Sequence, residues 1–247
     1  MGGFPLSNTS NFRQAIQTAQ GQALVGPNVI AKALPFVGGG LLLTALGVYG
    51  GIGVLNQYPG LFMPSFWGAI AGSLILFFVA RGIAEKANNS AALPLLALYS
   101  LLTGYTLTGL IVVALHTTGV GLAGIGFAAL GCGITFIAGR QIGSNLSEED
   151  GMALSKTVQM GLIALVVVLL GELALTLFGV YTPSFLDVAI SGIGVLLFVG
   201  SAVVDFFLLP RAYRDEQYLS ASLSMYLTYV NLFVFILRLL IALNSRD

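Results

Sequence analysis

Runs of about twenty apolar residues follow one another along this chain, and polar residues are nearly confined to the gaps between them. A run of that length crosses the roughly 30 Å hydrocarbon core of a bilayer as a helix, which satisfies its backbone N–H and C=O groups internally. The chain is 57% hydrophobic and 8% charged, whereas a soluble globular domain carries about 25% charged residues. Its mean hydropathy is +0.94. Water does not solvate such a surface; a lipid bilayer does. The pattern predicts an all-α, polytopic transmembrane bundle of seven helices, with its function resting on the few polar groups kept inside the membrane.

The spans fall at 34–55, 64–84, 92–115, 119–139, 157–179, 184–208 and 219–243. Residues 1–33 form a polar arm and 34–247 a single transmembrane domain, because seven spans leave only short loops in 247 residues. In the arm, Ser10 can cap a short helix whose face carries Phe12, Ile16 and Ala19, an interfacial helix lying on the membrane. The first 30 residues lack the apolar core of a signal peptide, so the first span is expected to be retained. Span four is crowded by Gly119, Gly121, Gly124, Gly126, Gly131 and Gly133, small residues that permit close helix packing in lipid. Cys132, the single cysteine, excludes a disulfide within the chain and reads as a small core residue.

Loop charge orients the bundle. Arg13, Lys32, Arg81, Lys86, Arg140, Lys156, Arg211 and Arg214, eight of the ten basic residues, fall on one side, and the alternate loops 56–63, 116–118 and 180–183 contain none. The positive-inside rule places the amino terminus in the cytoplasm and the carboxy terminus opposite, in a bacterial inner membrane. Glu148, Glu149 and Asp150, in the long loop 140–156, read as the solvated cap of span five. Net charge is zero, so nothing points to nucleic acid. A weak echo is also visible. Gly47-Val48-Tyr49 and Pro64-Ser65-Phe66 recur as Gly179-Val180-Tyr181 and Pro183-Ser184-Phe185, which would make spans 1–3 and 5–7 parallel repeats.

An ionisable group inside a span costs roughly 2.5–3.5 kcal/mol at the bilayer centre on insertion scales. Asp205 lies in the inner third of span six, Glu172 in the outer half of span five and Arg238 in the outer part of span seven. Arg81 and Asp187 lie near span ends, where snorkelling accounts for them. Glu172 should be neutral, a possible proton site, or paired with Arg238 across the bundle. In span seven, Ser224, Thr228, Asn231, Phe235 and Arg238 are spaced 4, 3, 4 and 3 apart and share one helix face. Such a stripe is either a hydrogen-bonded seam between helices or the lining of a pathway.

The segment Met225-Tyr226-Leu227-Thr228-Tyr229-Val230-Asn231-Leu232-Phe233, followed by Ile236-Leu237-Arg238-Leu239-Leu240, resembles the last-helix signature of the transmembrane BAX inhibitor motif family, roughly Leu-Tyr-Leu-Asp-x-x-Asn-Leu-Phe-x-x-x-Leu-Arg. Asp205, shortly before Arg211 and Arg214, is similar to that family's sixth-helix Asp, and looser similarity covers nearly all of 32–243. The resemblance implies a seven-helix bundle with the last helix central and a pH-sensitive calcium leak. In that family two aspartates from helices six and seven share a proton and latch the pore, with a second-helix Arg beside them. Here Thr228 stands where the seventh-helix Asp should be. Thr cannot titrate, but it can donate a hydrogen bond that favours an ionised Asp205. Arg81 is in plausible register with the second-helix Arg and is expected to pair with Asp205. Calcium takes six to eight oxygens, so Asp205 with Thr228, Asn231 and water makes a weak Ca²⁺ site, compatible with permeation.

The expected function is a channel-like passive leak of cations such as Ca²⁺, with altered pH gating, along Asp205, Thr228, Asn231, Arg81 and Arg238. One rival is a non-conducting regulator that binds a membrane protease or another membrane protein. A second is a proton-coupled transporter using Glu172 and Asp205. No enzyme, catalytic residue or cofactor is expected: there is no His cluster, no Ser–His pair and no Cys nucleophile setting, and His116 sits at an outer loop. The lipid bilayer is the one certain partner.

Overall fold

A computed structural model describes residues 24–180 and 183–244. Seven long helices make up most of it: α1 (Val29–Gln57), α2 (Pro59–Glu85), α3 (Asn89–His116), α4 (Gly121–Gly143), α5 (Glu148–Leu177), α6 (Ser184–Ala212) and α7 (Tyr218–Asn244). A 3₁₀ turn, Asp215–Gln217, leads into α7. All seven are long and apolar enough to cross a membrane, and the described residues contain no strand. This is the all-α, seven-helix architecture expected from the apolar runs, and the chain is a multi-pass membrane protein. The interfacial helix expected around Ser10, Phe12, Ile16 and Ala19 lies outside the described residues.

Several helices start earlier than hydropathy alone places them. α1 begins at Val29 rather than 34, because Val29 and Ala33 are fully buried against the bundle. The outer loop expected over 56–63 shrinks to Tyr58: Pro59 opens α2, where its missing N–H has no helical partner to lose, and Pro64 is absorbed in the next turn. α5 begins at Glu148. The Ser147 hydroxyl accepts the Asp150 N–H at 3.1 Å and donates to Asp150 Oδ2 at 2.6 Å, and Glu148, Glu149 and Asp150 complement the positive end of the helix dipole.

α7 is the central helix. It packs along α6 and α1 and also touches α2, α3 and α4. Its buried residues run from Leu219 to Leu237. α1 and α3 approach so closely that a Cβ on Gly104 would overlap the Thr44 carbonyl, and one on Gly47 the Leu101 carbonyl. The Thr44 and Tyr226 hydroxyls share a hydrogen bond of 2.6 Å beside the Ser100 carbonyl, tying α7 to that pair. α5 packs chiefly along α6 and leaves most of its surface to lipid. The two halves therefore do not repeat each other: α1 lies against α3 over a long contact, whereas α5 and α7 have no comparable packing. In α4 the closest approaches to a neighbouring helix come from Gly139 and Gly143 against the α6 backbone at Ala202 and Val203, while Gly126 and Gly133 face open space.

Connections gather at the basic end. Asn28 donates from its backbone and side chain to Asp215 at 2.9 and 3.1 Å, and Lys32 lies 3.7 Å from the same carboxylate. Gln217 donates to the Glu85 carbonyl, and Asn89 to that of Glu216. These bonds pin the starts of α1, α3 and α7 to the ends of α2 and α6.

Candidate functional site: a polar seam between α6 and α7

Asp205 sits inside the bundle on α6, only 7% exposed. Ser224 Oγ donates to its Oδ1 at 2.9 Å and Thr228 Oγ1 to its Oδ2 at 2.7 Å. The two donors are four residues apart on α7, so one helix face presents one hydroxyl to each carboxylate oxygen. Among the described residues no cation joins them. Arg81, expected beside Asp205, instead binds Glu85 at 2.8 Å on the exposed side of α2. A partner one turn along the same helix is available without crossing the bundle, and both groups stay in a polar environment.

Further out along the seam, Asn231 does not join Asp205; its Nδ2 donates back to the Leu227 carbonyl at 2.8 Å. The Phe235 ring stacks on Phe198 with centroids 5.6 Å apart, and it fills the space left by the missing side chain of Gly194. Beyond this apolar plug, Arg238 Nη2 lies 3.4 Å from both Glu172 Oε2 and Asp187 Oδ1. The pairing of Glu172 with Arg238 follows the sequence expectation. Asp187 does not merely snorkel; it is the second carboxylate of this cluster. The far-end cavity beside it, about 450 Å³, is lined by Asp187, Ser191 and Arg238. Ser191 is fully buried, and among the described residues neither its hydroxyl nor Glu172 Oε1 has a hydrogen-bond partner. Sequence reading missed Ser191, because a lone serine in an apolar span carries no periodic signal. His116 ends α3 in an exposed position, with Nδ1 2.8 Å from the Val112 carbonyl.

The seam therefore carries one carboxylate with two hydroxyls at one end and a guanidinium between two carboxylates at the other. Asp205 and its two hydroxyls fall short of the oxygen count a resident calcium needs, and the described residues hold no cluster of three or more His, Cys, Asp or Glu that could bind a metal. The family model described as inhibitor of apoptosis-promoting Bax1 matches residues 26–246. The chain belongs to the Bax inhibitor-like transmembrane family. Among its relatives is an uncharacterized membrane protein of Streptococcus pyogenes serotype M6, 32% identical over 181 residues that cover 70% of this chain and 73% of the relative. Another is Bax inhibitor 1 of Schizosaccharomyces pombe, 36% identical over 73 residues, 30% of this chain and 27% of that one. Within this Bax inhibitor-like fold, Thr228 meets Asp205 directly, so the position where a second carboxylate was expected is occupied by a hydroxyl donor.

Proposed function

We propose that this Bax inhibitor-like protein is a channel-like bundle that passes cations, Ca²⁺ among them, down their gradient, with its amino terminus in the cytoplasm. The reading is carried by Asp205: a buried carboxylate with no cation partner among the described residues, held by two hydroxyls on the central helix. Intramembrane carboxylates are costly and face bundle interiors or ion paths. The seam that holds it continues to Arg238, Glu172 and Asp187 at the far end. The Phe198–Phe235 stack stands between these charge centres, so this conformation is the closed one and conduction requires α6 and α7 to part there. Weak oxygen coordination at Asp205 suits an ion that must leave as well as arrive.

The test is calcium flux into dye-loaded liposomes containing the purified protein. A leak above protein-free liposomes, reduced by Asp205→Asn, supports the reading. A second reading, a non-conducting regulator of a membrane protein, is favoured by Thr228, which removes the proton-sharing carboxylate pair. Absence of flux at every pH and gradient tried would select it.

A further inference from the structure

At the basic end of the bundle a cavity of about 610 Å³ opens between α1, the α4–α5 loop and the end of α6. Ile30 and Leu34 of α1 line it with apolar surface, Arg140 of α4 and Arg211 of α6 bring positive charge, and Glu148 is its one carboxylate. Neither arginine has a carboxylate within 4.0 Å among the described residues. Three acids of this end are engaged with other groups: Glu85 with Arg81, Asp215 with Asn28 and Lys32, Asp150 with Ser147. Residues 1–23 contain no Asp or Glu, so the amino-terminal arm has no carboxylate to offer. Asp247 follows the opposite end of α7.

Arg211 is also pre-positioned. Its Nη1 donates to the Phe207 carbonyl at 2.6 Å and its guanidinium lies 4.0 Å above the Phe207 ring. That uses one of its five N–H groups and leaves the others for a ligand. A guanidinium already held in place loses little conformational entropy on binding. Arg140 and Arg211 line the same cavity from two helices, and guanidinium groups suit the oxygens of a phosphoryl group, to which arginine donates in pairs.

We propose that this cavity binds an anionic phosphoryl group, with Arg140 and Arg211 donating to its oxygens and Ile30 and Leu34 covering the apolar part of the ligand. The group could belong to an anionic phospholipid headgroup at the membrane boundary or to a soluble phosphate, and the chemistry of recognition is the same. This inference stands apart from ion conduction.

Full-length protein in detergent micelles is titrated separately with phosphatidylglycerol, phosphatidylcholine and inorganic phosphate. Thermal unfolding and native mass spectrometry follow binding. Phosphatidylglycerol should raise Tm and stay bound where the zwitterionic phosphatidylcholine does not. Arg140→Gln with Arg211→Gln should weaken that binding about tenfold or more. Lys156→Gln, at the same end but outside the cavity, should leave it unchanged. If inorganic phosphate produces the whole shift and phosphatidylglycerol adds nothing, the ligand is a soluble phosphate and the site stands. Equal retention of both lipids without a phosphate effect, or a double variant that binds as the wild type does, overturns it. Should the double variant fail to fold, Arg140→Lys and Arg211→Lys keep the charge but lose the forked donation. Each should then bind several-fold more weakly, and unchanged binding by both would overturn the proposal.

Discussion

Asp205 is a carboxylate inside a membrane bundle whose observed donors are two hydroxyls rather than a cation. Asp205→Asn keeps the size of the side chain and should abolish cation selectivity of the leak while leaving the fold intact. Asp205→Ala strands the buried Thr228 hydroxyl and the Ser224 hydroxyl, and should cost about 1–3 kcal/mol in a thermal or denaturant unfolding measurement. Thr228→Asp places a second carboxylate against the first. The two must then share a proton, so the leak should acquire a steep dependence on pH between about 6 and 8 that the wild type lacks. A wild-type leak already steep in that range would show that another group supplies the switch. At the other end of the seam, Arg238 has two carboxylates. Glu172→Gln alone should therefore be mild, about 1 kcal/mol, because Asp187 still compensates the guanidinium. Glu172→Gln with Asp187→Asn should cost about 3 kcal/mol or more, beyond the two single effects together, because the guanidinium then has neither carboxylate. Additive single effects would mean that the three groups do not act as one cluster.

At the scale of the elements, helix contact depends on where side chains are absent. Lipid supplies no hydrophobic drive between helices, so close backbone approach matters more than in water. Gly104→Ala drives a Cβ into the Thr44 carbonyl and should destabilise the α1–α3 pair by about 1–3 kcal/mol. Gly133→Ala meets nothing within 4 Å and should be neutral, or stabilising by up to about 1 kcal/mol through helix propensity. Thermal unfolding of both variants in the same detergent checks the contrast; equal effects would show that the close contact at Gly104 does not govern the outcome. The glycine count of span four drew attention to α4, yet its close approaches to the backbone of a neighbouring helix are made by Gly139 and Gly143 near its end. Composition shows that small residues are present, whereas only the neighbouring helix determines which of them are needed.

For the whole molecule, the basic loops gather at one end, where Asp215, Gln217 and Asn89 tie α1, α2, α3 and α7 together. Reporter fusions after Gln57, Thr117 and Gly179 should all report the side away from the cytoplasm. A cytoplasmic signal from any one would break the seven-span topology, and from all three would reverse the proposed orientation.

The seven spans, the acidic residues ahead of span five, the single-sided basic charge and the polar stripe of the last helix were legible in the linear chain, whereas the Ser147 cap and the start of α5 at Glu148 were not. Each legible feature follows from a local or bilayer-imposed rule: backbone polar groups must be satisfied in lipid, acids suit a helix start, and the polar stripe of α7 repeats at helical spacing. The partner of each charge was less legible. Arg81, in register with the family's second-helix Arg, turns to Glu85 on its own helix rather than to Asp205, and Asp187, in the first turn of α6, meets Arg238. The apparent repeat dissolved because packing, not motif order, sets which helices touch. A span's polar residue can point at any of several neighbouring helices with equal local cost. Its actual partner is chosen by interhelical distance and rotation, which arise only when all seven helices pack around α7.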